Sequence, residues 1–163
     1  MFLESKELPE QVSELADMHG DMTIAFYDRV EKQIILGAQP EYLDWEAEAG
    51  DNDRWRARIK AMGKDRKRYL ELYPPPSYDD YDTMLSFTQQ LPEGEYKRTL
   101  QVILRGQKPF RNFKDYLTDT PYRDDFFACR QRETEQYYWE EIALPHHQFL
   151  PVRTGADHGN RDA

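Results

Sequence analysis

A single cysteine, Cys129, in 163 residues excludes an internal disulfide and any multi-cysteine zinc site. No apolar stretch approaches the roughly 18 residues of a membrane span. The first residues carry Glu4, Glu7, Glu10 and Glu14, where a signal peptide would need positive charge followed by an apolar segment. No G-x-G-x-x-G occurs. Gly63-Lys64 lacks the upstream glycine and the following Ser or Thr of a P-loop, which argues against nucleotide hydrolysis by those routes. Ser5, Ser13, Ser77 and Ser86 stand in no nucleophile elbow. Positive charge is the minority sign: 22 Lys and Arg against 31 Asp and Glu leave a net charge of −9. That balance argues against a protein whose whole surface clings to nucleic acid or anionic lipid.

Mean hydropathy is low, at −0.95, yet 13% of the residues are aromatic, and rings are what disordered chains lack. The length suits one domain that buries roughly 68–70% of its unfolded surface. We therefore expect a soluble, cytoplasmic globular protein, with one domain over residues 1–145 and a polar tail over 146–163.

Periodicity orders the elements. Pro9 sits near the first turn of a short helix with Val12 and Leu15 on one face, ended by Gly20. Thr23 to Tyr27 and Gln33 to Leu36 are β-rich runs on either side of a polar connection, an antiparallel hairpin. Residues 41–53 read as an acidic loop. Trp55, Ile59 and Met62 then mark one face of a helix, and Arg68 to Tyr73 a further strand stopped by Pro74, Pro75 and Pro76. Four helices follow, the first expected to use Ser77 as its cap with Asp80 behind it, the last to run from Thr120-Pro121 to about Ala143. Strands first and helices after predict an α+β fold: a small antiparallel sheet, hairpin plus one strand, packed with a C-terminal cluster of about four helices.

Charge is segregated along the chain. Residues 1–53 net −11, residues 54–68 net +7 and the remainder net −5. Arg54, Arg56, Arg58, Lys60, Lys64, Arg66, Lys67 and Arg68 form the basic stretch, with Trp55 among them. They could make an anion-binding face, with Trp55 stacking on a base. The favoured alternative is compensation by the acidic segment beside it.

Catalytic and metal-binding patterns are thin. Asp17, His19 and Asp21 alternate as carboxylate, imidazole and carboxylate, but alternation fixes no coordination geometry, so neither metal nor cofactor is expected. His146-His147 lack the i, i+4 spacing that puts two imidazoles on one helix face, and His158 lies in the tail. Cys129, inside the long helix, reads as an inert packing residue. Among the 11 Tyr, 8 Phe and 3 Trp, most fall on helical stripes as core. Tyr42, Tyr73, Tyr78 and Tyr81 lie close to prolines or acids and are expected to surround a protein- or peptide-binding groove at the sheet–helix junction.

The run from Leu104 through Gly106, Pro109, Phe110, Phe113, Lys114 and Asp115 to Leu117 resembles the signature of a bacterial group, uncharacterised protein family 0158: a leucine, a glycine two residues on, and a Phe-x-x-Phe-Lys-Asp core. The similarity covers about residues 22–143 and takes in Tyr27-Asp28, the Tyr69–Pro74 run, Met84, Phe87 and Trp139. Pro109 and Phe127 depart from the pattern, standing where Ala and Trp are commoner. The resemblance implies an α+β fold and a bacterial cytoplasmic setting, and no activity. Read as structure, the signature expects a positive φ at Gly106, a helix start at Pro109, and Phe110 and Phe113 both buried against the last helix. Arg111, Asn112 and Lys114 could reach base edges, but the net negative charge around them argues against DNA. The functional expectation is a non-enzymatic interaction or regulatory module with a protein partner. Nucleic-acid association through residues 54–68 is the alternative, and a metal-dependent hydrolase using Asp17, His19 and Asp21 stands behind both.

Overall fold

The computed structural model describes residues 7–43 and 49–144; the expected tail, with His146, His147 and His158, lies outside them. Helix α1 (Leu8–Met18) leads into β1 (Thr23–Asp28) and β2 (Gln33–Ala38), then a 3-10 turn at Pro40–Tyr42. Helix α2 (Ala49–Lys64) and strand β3 (Tyr69–Leu72) follow, and α3 (Ser77–Gln90), α4 (Glu95–Arg105), α5 (Pro109–Thr118) and α6 (Arg123–Ala143) complete the chain. The fold is α+β, as the element order predicted. The sheet is antiparallel throughout, in the order β2-β1-β3.

Alternation along β1 explains the layering, because successive side chains of a strand point to opposite faces. Ala25 and Tyr27 join Ile34, Leu36 and Leu72 beneath α1 (Val12, Leu15) and the C-terminal half of α6 (Tyr138). Ile24 and Phe26 point the other way, against Met62, Ile59 and Trp55 of α2. A second core fills the helical cluster, where Met84, Phe87, Leu91, Leu100, Leu104, Phe113, Leu117 and Phe126 meet. Helix α6 belongs to both. Its 21 residues run on the order of 30 Å, long enough for Phe126 to serve the helical core and Tyr138 the sheet.

At the far end of β1, Asp28 is buried and fully engaged. Its carboxylate accepts from Arg68 Nε (3.0 Å) and Nη2 (2.8 Å) and from the amides of Val30 and Glu31 in the hairpin turn. The hydrogen bonds from Arg68 hold the Asp28 carboxyl below the usual carboxylate range. One side chain thus shapes the hairpin and ties the entry of β3 to it.

Three local expectations change. Ser77 is the first helical residue, and Pro76 occupies the cap position with no side-chain cap. Thr120 donates to Leu117 C=O and accepts from Tyr122 N–H, stabilising a turn, and the last helix begins only at Arg123. Gly106 is extended at φ −91, and the left-handed residue is Lys108 at φ 48. The α4–α5 corner is closed instead by Asn112, whose side chain donates to Gln107 C=O and whose amide donates to Lys108 C=O. Those bonds offset the left-handed backbone that glycine would otherwise supply.

Candidate functional site

Antiparallel pairing brings the start of β1, the end of β2 and the end of β3 to one end of the sheet. The α1–β1 turn crosses that end. A cleft of about 220 Å³ opens there, lined by His19, Asp21, Thr23, Gln39, Glu71 and Tyr73 among others. Thr23 Oγ1 donates to Gly20 C=O and accepts from Gly20 N–H, and Gln39 Nε2 donates to Thr23 C=O, so the turn is pinned by its own neighbours. Met22 (60% exposed) and Tyr73 (61%) stand out beside it as apolar side chains in water. At this volume the cleft falls below the ~300–1,000 Å³ of ordinary small-molecule sites and suits a side chain of a larger partner.

His19 closes the inner wall. Its Nδ1 lies 2.6 Å from the Tyr138 hydroxyl, and the rings stack at 5.6 Å. The hydroxyl donates and Nδ1 accepts when the imidazole carries its proton on Nε2. Burial lowers the His19 pKa to about 4, so the ring is neutral near pH 7. Burial also pushes the Tyr138 phenol up. Partial burial, then the Glu71 carboxylate, push Tyr73 up to about 12.

A pH dependence follows. The unfolded chain takes up the His19 proton near pH 6.5 and the folded chain only near 4, so the unfolded state binds more protons between those values. The contribution of His19 to stability is complete above about pH 6.5 and declines as the pH falls toward 4, by roughly 3 kcal/mol in all. Urea unfolding at steps between pH 7 and 4 should show that slope, and His19→Gln should flatten it. An unchanged slope in the variant would mean that other groups carry the acid sensitivity.

Of the three expected groove tyrosines whose side chains are described, Tyr42, Tyr73 and Tyr81, only Tyr73 lines this cleft. Tyr42 is exposed on the 3-10 turn. Tyr81 is turned into the helical cluster, donating to Leu104 C=O at 3.0 Å and meeting the Phe110 ring edge-on. The Tyr78 side chain lies outside the described residues. The expected groove is thus divided, because α3 rotates Tyr81 toward α4 and α5. His19 and Asp21 do share the cleft, but Asp17 is exposed on the last turn of α1. Among the described residues no three His, Cys, Asp or Glu side chains are placed to hold a metal ion. Sequence reasoning passed over Glu71, although a charge at the middle of the short run Tyr69-Leu70-Glu71-Leu72 is the mark of an edge strand.

The basic stretch is partly spoken for. Trp55 Nε1 donates to Ala38 C=O at 2.9 Å with the indole laid on Gly37, so this ring is core and not a free stacking platform. Arg68 is bound to Asp28. Arg54 and Arg56 face Asp51 and Asp53 at 3.5 and 3.6 Å, within the helix that the acidic segment enters. Arg58 lies over Trp55. Lys60, Lys64, Arg66 and Lys67 are exposed and have no ion-pair partner among the described residues. Arg29 donates to the carbonyls of Arg66 and Lys67, adding its charge to that end.

Phe113 is fully buried against Phe126, whereas Phe110 is 37% exposed, not buried as expected, and its ring meets Tyr81 edge-on. Arg111 pairs with Asp115 at 3.6 Å, Asn112 is used by the α4–α5 corner, and Lys114 is half-buried, so none of them forms a free reading edge. Cys129 is half-buried, and burial pushes its thiol up, the wrong direction for a nucleophile. A second, acidic groove of about 360 Å³ lies between α3 and α6, where Arg130 pairs with Asp80 and Thr83 donates to Glu133. Among the described residues no helix is long and apolar enough to cross a membrane. No family model, curated protein or solved structure matches this chain.

Proposed function

We propose that the protein is a non-catalytic interaction module that docks another protein on the sheet end. The observation that carries this reading is the pair Met22 and Tyr73, each about three-fifths exposed at a cleft lined by polar residues. Exposed apolar side chains around a small polar depression suit an interface, where aromatic anchors supply most of the affinity. The resemblance to uncharacterised protein family 0158 belongs to the same proposal and implies no activity that would compete with it.

The test is a photo-crosslinking residue placed at Tyr73 and, as a control, at Val102, a 68% exposed position on α4 away from the cleft. In the native host, a discrete adduct should form from position 73 and not from 102. Absence of any adduct, or the same set from both positions, would overturn the reading.

A second reading, nucleic-acid association through residues 54–68, draws on Lys60, Lys64, Arg66 and Lys67. It ranks lower because Trp55 and Arg68 are committed elsewhere. Binding to a single-stranded oligonucleotide that did not weaken with added salt would eliminate it.

A further inference from the structure

The two edges of the sheet are finished differently. In an antiparallel ladder, the backbone groups of successive residues face alternate neighbours. Arg29 N–H donates to Arg68 C=O, which makes that pair hydrogen-bonded and, two residues along, Tyr27 with Leu70 as well. Leu70 and Leu72 therefore present their amides to β1, while Glu71 presents both N–H and C=O outward. The same parity holds on β2, where Ile34 N–H and Ala38 C=O face away from β1.

On β2, Leu36 also turns its N–H and C=O outward but is buried in the core beneath α1, and two of the other outward groups are bonded. Gln11 of α1, itself buried, accepts from Ile34 N–H at 2.9 Å, and the Trp55 indole donates to Ala38 C=O. On β3, Tyr69 N–H is taken by Asp65 C=O. Glu71 N–H and C=O have no backbone partner among the described residues, and three of the four β3 residues are only half-buried. An unpaired edge amide next to exposed Tyr73 is a site where an extended chain can add.

Charge selects the occupant. Asp21 and Glu71 both line the cleft, and neither has an ion-pair partner among the described residues. Among the described residues the lining contains no lysine or arginine, and its one imidazole is neutral near pH 7. A second copy of this chain fits less well, since self-pairing centred on Glu71 sets two carboxylates directly opposite each other, which destabilises a strand pair. Pro74, Pro75 and Pro76 have no N–H and keep the available edge short.

We infer that the β3 edge takes an extended, basic segment of a partner protein as a fourth strand, hydrogen-bonded to Glu71 and placing a lysine or arginine at the Glu71 and Asp21 carboxylates. The inference rests on the docking-surface reading and specifies its chemistry. With so few main-chain bonds, affinity is modest and depends on the cation and on Tyr73.

The test uses the isotope-labelled full chain and the synthetic peptide acetyl-Thr-Val-Lys-Val-Thr-amide. Two controls carry Glu in place of Lys, or an N-methyl group on the central residue. The Lys peptide should slow exchange of the Glu71 amide proton and bind at least about tenfold more tightly than the Glu peptide, a difference of about 1.4 kcal/mol. The N-methyl peptide should lose the protection. Glu71→Lys should reverse the charge preference, and Glu71→Pro, which removes the outward N–H together with the carboxylate but no bond to β1, should fold and bind neither charge form. Equal binding of both charge forms, or no slowing at Glu71, would overturn the inference. Slowing at Glu71 that grows with protein concentration and needs no peptide would overturn it in favour of a second copy. Peptide shifts confined to Met22 and Tyr73 would sink strand addition while leaving the docking surface intact. Protection of Glu71 by the Lys peptide with no cellular adduct from position 73 would sink the docking reading instead.

Discussion

Phe113→Ala should destabilise the protein by roughly 3–5 kcal/mol, the usual cost of removing a fully enclosed aromatic ring. Phe113 has 0% exposure, and its ring centroid lies 5.1 Å from Phe126, which in turn meets Phe87 at 5.3 Å. Truncation leaves a cavity walled by three helices, and none can close it without giving up contacts to the others. In a domain of this size each kcal/mol lowers the melting temperature by roughly 2–4 °C, so a fall of about 6–20 °C is expected. Phe110→Ala supplies the contrast. Phe110 is partly in water and meets only the edge of Tyr81 at 6.4 Å, so its loss should cost about 1 kcal/mol. Denaturant melts of the two variants side by side decide the matter. Equal losses would mean that the two phenylalanines share one environment, contrary to the packing described.

The second large effect comes from adding a single methyl group. A Cβ on Gly37 would lie 2.3 Å from Trp55 Cζ2 and under 3 Å from two further indole carbons. The ring cannot swing aside freely, because its Nε1 is bonded to Ala38 C=O and its neighbours on α2 are packed on the same sheet face. Gly37→Ala should therefore cost about 2–4 kcal/mol, combining overpacking with loss of the indole hydrogen bond. The source of the cost can be isolated. In a Trp55→Ala background the same substitution meets no ring and should be neutral or slightly stabilising, since alanine loses less backbone freedom on folding than glycine. A coupling energy above about 1.5 kcal/mol in that double-mutant cycle would locate the clash, whereas additive effects would show that Gly37 matters for another reason.

Much of the fold is legible in local pattern. Alternation in Thr23–Tyr27 and Gln33–Leu36, the spacing of Trp55, Ile59 and Met62, and the apolar repeats after Pro76 place nearly every element, because amphipathic period is a property of neighbouring residues. The same pattern misplaced the start of α6, the cap of α3 and the left-handed residue of the α4–α5 corner. The first and the last of these depend on bonds made by Thr120 and Asn112 that a preference scale does not contain.

The candidate site was only half visible. Residue type singles out His19, Asp21 and Tyr73 but places them in two different sites, and nothing in the local pattern points to Glu71, Met22 or Gln39 as their neighbours. Their separation along the chain is the reason: residues 19–24, 39 and 71–74 meet only because β1 lies between β2 and β3. The chain's local sequence settled the charge balance, the α+β class, the element order and the apolar face of most elements. The tertiary structure settled which face meets which. It set Trp55 on Gly37, Phe113 inside and Phe110 at the rim, α6 across two cores, and the middle of the β2 edge buried while Glu71 on the β3 edge is only half-buried. Periodicity gives the direction in which a side chain leaves its own helix or strand, and what waits in that direction is fixed by strand order and helix rotation, which involve residues far away in the chain.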